Sequence, residues 1–150
     1  MNEKKSLKLR LKAEKARDAG SLPRVLVVDN DPATLDVFSN FLGHQDFRIA
    51  RATSAKQCLK AARGQKVDLV LLELLIPEME NGLLALRRLK EDAKTAAIPV
   101  VIITAVGEPS VLAEAKRLGA RECLVKPVFR RQLLRTVRSH LGATASVSEA

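Results

Sequence analysis

From Arg24 onward, short runs of consecutive apolar residues alternate with stretches in which apolar positions recur at helical spacing. Residues 25–28 are apolar throughout, the pattern of a strand buried on both faces. Asp31-Pro32 then supplies an N-cap and a proline in the first helical turn. Leu35, Val37, Phe38, Phe41 and Leu42 follow, and Gly43 is placed as a stop. The same alternation predicts strands over 47–50, 68–74, 99–104 and 123–125. Helices are predicted over 83–90, 110–118 and 130–141, with one more capped by Thr53 or Ser54 and stopped at Gly64. Five strands alternating with five helices specify an α/β fold, a mostly parallel sheet covered by helices on both faces.

Composition narrows the class without changing that picture. With 150 residues, 47% of them hydrophobic, the chain is sized for one domain and is too apolar for a disordered polypeptide. Its apolar run over 69–77 is broken by Glu73, so it predicts no spanning helix, and the lysine-rich start lacks the apolar stretch of a secretory signal. Cys58 and Cys123 have no metal-ligand spacing and suit reduced thiols of a cytoplasmic protein. The net charge of +9 is uneven, since residues 1–24 hold eight basic side chains against three acidic ones. That leader, residues 1–23, is rich in helix formers up to Gly20 and then passes through Ser21-Leu22-Pro23 into the domain at 24–141. Residues 142–150 form a tail of small residues, too short for an appended DNA-binding domain. No aromatic interrupts the basic leader, which leaves base stacking without a platform.

In a parallel sheet of this kind, ligands sit beyond the carboxyl ends of the strands. The residues standing there are Asp29-Asn30-Asp31 after the first strand, Glu73 at the end of the third, Thr104 after the fourth and Lys126-Pro127 after the fifth. No glycine-rich phosphate loop follows the first strand, which argues against a dinucleotide site. No side chain is paired with a base in the way nucleophilic catalysis requires, so no catalytic residue is assigned. His44 reads as a surface histidine, His140 suits the negative end of the last helix, and Cys58 falls on an apolar helical face.

Four segments in register, V-L-V-V-D-N-D-P, D-L-V-L-L-E-L-L-I-P-E-M-E-N-G, V-V-I-I-T-A and G-A-R-E-C-L-V-K-P, resemble the receiver domain of two-component response regulators. The resemblance covers about Arg24 to Leu141 and implies a flavodoxin-like five-stranded sheet of order 2-1-3-4-5 in a bacterial, cytoplasmic signalling protein. In that family an aspartate after the third strand takes a phosphoryl group from a partner histidine kinase. Two acidic residues after the first strand help hold Mg²⁺, a Thr or Ser and a Lys contact the phosphoryl oxygens, and an aromatic in the fifth strand switches rotamer. Asp29, Thr104, Lys126 and Pro127 match their positions, whereas Asn30 replaces the second acidic residue, Glu73 the phosphoacceptor and Cys123 the aromatic.

These departures point one way. The extra methylene of Glu73 moves its carboxylate by about 1 Å, and a misplacement of that size costs in-line transfer on the order of 100-fold. Asn30 removes a negative charge from a pocket whose metal demands near-octahedral oxygens. The sequence therefore predicts a stand-alone receiver that acts by binding another protein, with ordinary aspartate phosphorylation lost and Glu73 paired to Lys126. Glu73 is either an imitation of the phosphorylated state or a structural partner. No cofactor is expected; if magnesium binds, its ligands are Asp29 and Glu73. The resemblance implies a kinase, an output protein or a second copy as partner, the last through the fourth helix, fifth strand and fifth helix. Arg130, Arg131, Arg135 and Arg138 give that last helix a basic side. The alternatives are a receiver still competent for Mg²⁺-dependent phosphoryl transfer, and a nucleic-acid or membrane-surface binder working through the basic leader.

Overall fold

A computed structural model describes residues 3–8, 22–76 and 82–141. Strands β1 (Arg24–Val28), β2 (Arg48–Ala52), β3 (Leu69–Leu72), β4 (Val100–Thr104) and β5 (Glu122–Val125) alternate with helices α1 (Pro32–Leu42), α2 (Ala55–Gly64), α3 (Gly82–Glu91), α4 (Pro109–Arg117) and α5 (Arg130–His140). All pairings are parallel and the strand order is β2-β1-β3-β4-β5.

Side-chain alternation along the central strands divides the core into two layers. Leu26, Val28, Val70, Leu72, Val100 and Ile102 face α2, α3 and α4, where Cys58, Leu86 and Ala115 meet them. Val25, Val27, Leu69, Leu71, Val101 and Ile103 face α1 and α5, against Leu35, Phe38, Leu133 and Val137. A fully apolar strand satisfies both layers at once, which is why β1, β3 and β4 carry no alternation in their sequence.

Local signals set most of the helix ends. Asp31 caps α1 by accepting from the Ala33 N–H at 3.2 Å, and Gly43 follows α1 at φ 72°. Ser54 rather than Thr53 caps α2, accepting from the Gln57 N–H at 3.2 Å. Helices α3, α4 and α5 are shifted by about one residue from the sequence-based bounds, as fraying ends generally are. The second strand lies at Arg48–Ala52 rather than 47–50, because parallel pairing with β1 runs from Arg24↔Arg48 to Val28↔Ala52 and leaves Phe47 for the core. The leader adds a sixth helical segment, since residues 3–8 are helical and exposed. Its Gly20 stop, the turn over 77–81 and the tail over 142–150 lie outside the described residues. Among the described residues no helix is long and apolar enough to cross a membrane.

The third strand ends earlier than its apolar run, at Leu72. The Glu73 N–H still donates to the Val28 carbonyl at 3.0 Å, but the next two N–H groups are taken by the Glu73 carboxylate itself. A side chain that captures local amides in this way withdraws them from the ladder. The chain then turns so that the Leu74 carbonyl accepts from the Gly82 N–H at 2.7 Å. A Cβ at Gly82 would lie 2.6 Å from the Glu73 carbonyl oxygen and 2.7 Å from the Leu74 Cα. Substituting Gly82→Ala is therefore expected to destabilise the protein by about 1–3 kcal/mol, although alanine is the better helix former. Urea denaturation checks this through a lowered midpoint; a raised midpoint would mean that the contact relaxes at no cost.

Candidate functional site

The carboxyl ends of β1, β3, β4 and β5 bring Asp29, Glu73, Thr104 and Lys126 into one pocket. Lys126 follows β5, and its N–H donates to the Thr104 carbonyl at 2.9 Å, which fixes the ammonium stem beside β4. Its Nζ lies 2.7 Å from Asp29 Oδ2 and 3.1 Å from Glu73 Oε1. The two carboxylates are 3% and 4% exposed and the lysine 23%, so the bridge is largely removed from water. Asp29 Oδ1 accepts from the Asp31 N–H at 2.9 Å. Asp31 itself is turned to the start of α1, with Oδ2 accepting from Thr34 Oγ1 at 2.9 Å.

Glu73 is the most heavily coordinated side chain of the pocket. Oε2 accepts from the Leu74 and Leu75 N–H groups at 2.6 and 3.2 Å, and Oε1 accepts from the Ala105 N–H at 3.3 Å as well as from Lys126. The Thr104 hydroxyl also hydrogen-bonds to it. Burial pushes the Glu73 carboxyl up, but the hydrogen bonds from Thr104, Lys126 and Leu75, together with the lysine charge, outweigh burial and hold it below its ordinary value. Burial likewise disfavours the Lys126 cation, and the bonds to Asp29 and Glu73 more than offset this, raising its pKa. The arrangement is a cradle of preorganised donors around one carboxylate, the geometry that stabilises an anion in a partly dry site.

Other sequence-predicted residues fall outside this cradle. Asn30 is exposed, and Pro127, joined to Lys126 by a cis peptide bond, is exposed beside the pocket. Cys123 lies opposite Ile102 in β5 and packs with the α4-side core layer, its Sγ 3.9 Å from the Leu112 carbonyl. Cys58 is buried, and burial pushes its thiol up to about 12. His44 is exposed; His140 Nε2 lies 3.9 Å from Glu122 Oε2. Arg130, Arg131 and Arg135 are exposed, but the basic side of α5 is not uniformly solvated: Arg138 is half-buried, with Nε unpartnered. Backbone donors at Leu74, Leu75 and Ala105, and the close approach at Gly82, are the parts that the sequence did not reveal.

Magnesium takes near-octahedral oxygens, commonly one or two carboxylates completed by waters. Asp29 Oδ2 and Glu73 Oε1 converge on an ammonium instead, and their remaining oxygens accept from backbone N–H groups. Among the described residues no group of three or more His, Cys, Asp or Glu side chains could hold a metal ion. Asp29 and Glu73 are the residues that would hold Mg²⁺, and in this arrangement the Lys126 ammonium lies between them.

The profile of the response regulator receiver domain matches residues 25–138. The chain belongs to the receiver family. Protein PilH of Pseudomonas aeruginosa is 34% identical over 121 residues, covering 81% of this chain and 99% of PilH. The DNA-binding dual master transcriptional regulator RpaA of Synechocystis is 31% identical over 129 residues, covering 86% of this chain but only 53% of RpaA. This receiver thus spans nearly the whole of one relative and about half of another. A CheY-like receiver domain protein from Methanospirillum hungatei has the same fold, with a TM-score of 0.76, 24% identity, and coverage of 84% of this chain and 98% of that one. Receivers are signalling modules of two-component systems that work through partner proteins.

Proposed function

We propose that this chain is an atypical receiver that signals by protein–protein interaction, its own Glu73 carboxylate standing where an ordinary receiver carries a phosphoryl group. The observation that carries this reading is the set of donors on Glu73: Lys126, Thr104 and the N–H groups of Leu74, Leu75 and Ala105. The family uses the threonine and lysine of this set to contact phosphoryl oxygens, and here they are engaged without a modification. The imitation is partial in charge, since a carboxylate brings one negative charge where a phosphoryl group brings about two. Cys123, in the place of the switching aromatic, offers no ring or hydroxyl to relay a change of pocket state, which favours a fixed docking module over a cycling switch. The protein is then a non-enzymatic, cytoplasmic signalling module, with a kinase, an output protein or a second copy as its partner.

Exposure of the full chain to acetyl phosphate or beryllofluoride with Mg²⁺, followed by intact-mass measurement, tests the reading. The expected result is no stoichiometric adduct. An acyl phosphate at position 73 that is lost in Glu73→Gln would overturn it in favour of phosphoryl transfer. The basic leader is tested separately by deleting residues 1–22, which leaves partner binding intact if the folded domain is the docking unit.

A further inference from the structure

A parallel sheet with helical crossovers sorts its connections into two poles. The pocket occupies the carboxyl ends of the strands. The opposite pole collects the start of β1, the helix C-termini, and the loops from α2 into β3, from α3 into β4 and from α4 into β5. Basic side chains gather there. Arg63, Arg88 and Arg117 lie in the last turns of α2, α3 and α4, where the helix dipole favours cations. Lys66, Lys94 and Arg121 stand in the loops beyond those turns, where the dipole effect has faded.

Lys66, Arg88, Lys94 and Arg121 are exposed, and among the described residues none has an ion-pair partner. The acids of this pole are mostly engaged. Asp92 is held by Arg63 at 2.8 Å, Glu91 by Arg87 at 2.9 Å, and Asp68 accepts from the Arg24 N–H at 2.8 Å, while Asp46 and Glu122 remain beside them. The cations are close enough to act on one another: Lys90, whose Nζ donates to the Ala96 and Ile98 carbonyls, is held below its ordinary value by burial and then by the charge of Arg121. The leader joins the domain at this same pole. Its Leu22 carbonyl accepts from Arg48 Nε at 2.7 Å, so the eight basic and three acidic side chains of residues 1–24 are tethered to the basic rim and not to the pocket. Lys4, Lys5 and Lys8 are exposed on helical residues 3–8, as is Leu7 at 46%. In the sequence, Leu7, Leu9 and Leu11 alternate with Lys8, Arg10 and Lys12.

We infer that this pole attaches the protein to an anionic phospholipid bilayer, headgroup phosphates meeting Lys66, Arg88, Lys94 and Arg121 while the leader adds its lysines and Leu7. Crowded like charges are relieved at a surface of opposite sign, where each basic residue strengthens binding about fivefold. The leucines select this partner. A basic segment that carries apolar side chains binds a bilayer by two signals at once, whereas a nucleic acid would use the charge, leave the leucines in water and find no aromatic in the leader to stack on its bases. Attachment by this pole turns the pocket away from the membrane and leaves it open to a protein partner. The inference goes beyond the protein-binding reading and does not depend on it.

The test is flotation of the full chain with large unilamellar vesicles of phosphatidylcholine containing about 30% phosphatidylglycerol. Vesicles of phosphatidylcholine alone and a duplex DNA of about 20 base pairs, titrated separately, are the other arms. Saturable binding to the anionic vesicles is expected, with none to the neutral ones, and it weakens about tenfold or more as salt rises from about 50 to 300 mM. Lys66→Glu and Arg121→Glu each weaken it about fivefold or more. Lys4→Glu/Lys8→Glu and Leu7→Asp, in the leader and outside the folded domain, weaken it as well, which keeps the test independent of any cost to folding. Lys56→Glu makes the same change of net charge as Arg121→Glu but in the first turn of α2, on the pocket side, and leaves binding unchanged. Equal binding to neutral vesicles, tighter binding to the duplex than to the anionic vesicles, or indifference to the Lys66 and Arg121 variants would each overturn the inference.

Discussion

Replacing Lys126 with methionine lowers the unfolding free energy by about 3–5 kcal/mol at neutral pH. The expected loss is large because the variant strands two carboxylates, Asp29 and Glu73, that are almost fully buried and share this one ammonium. Breaking such a pair from one side leaves uncompensated charge, which costs far more than the intact bridge contributes. The pH dependence follows from the direction of each shift. Glu73 is held below its ordinary value of 4.5, so its contribution is present above that value and is lost as pH falls through the lower folded-state pKa. Lys126 is raised above 10.5, so its contribution is present below that value and fades as pH rises through the higher folded-state pKa. The deficit of Lys126→Met is therefore expected to be widest near neutrality and to shrink once Glu73 is protonated. Urea titrations of both proteins from about pH 3 to 8 measure it. Parallel stability profiles, or no loss at neutral pH, would show that the bridge carries no weight.

Removing the carboxylate itself tests the cradle from the other side. Glu73→Ala leaves the N–H groups of Leu74, Leu75 and Ala105, the Thr104 hydroxyl and the Lys126 ammonium without their shared acceptor, at an expected cost of about 3–5 kcal/mol. Glu73→Gln keeps one carbonyl acceptor and is expected to cost about half as much. The space and donors left by alanine make a site for a small anion. Formate or acetate in the millimolar range should therefore raise the melting temperature of Glu73→Ala and leave the wild type unmoved. Each kcal/mol recovered corresponds to about 2–8 °C. Equal responses of the two proteins would mean that the anion acts on the whole surface and that the cradle has no affinity of its own.

The outcome of that pair of variants bears on how the chain can differ from an ordinary receiver while keeping its fold. Asn30 is exposed and takes no part in the bridge, in which one lysine stands between two carboxylates. The Leu74 and Leu75 N–H groups just past β3 hold the Glu73 carboxylate, and the Gly82 N–H at the start of α3 holds the Leu74 carbonyl. A longer acid at position 73 is accommodated because the loop amides close around it.

Much of this was legible in the order of residues. Apolar runs at 25–28, 69–72 and 100–103 fit strands with two buried faces, and Asp31-Pro32, Thr53-Ser54 and Gly43 punctuate the helices through short-range chemistry. The presence of Asp29, Glu73, Thr104 and Lys126 at strand ends followed from the same pattern, because a parallel sheet gathers those ends on one side. Distances in the pocket, by contrast, depend on pairings between residues as far apart as Asp29 and Lys126, which no local signal encodes. The early end of β3 at Leu72 was hidden because its apolar run continues past the strand. The termination comes from a carboxylate capturing the next two amides. The half-buried state of Arg138 likewise arises only in the packed fold. Periodicity and capping act over a few residues and so are written in the chain, whereas the balance of charge around Glu73 is a property of four strand ends held together by the sheet.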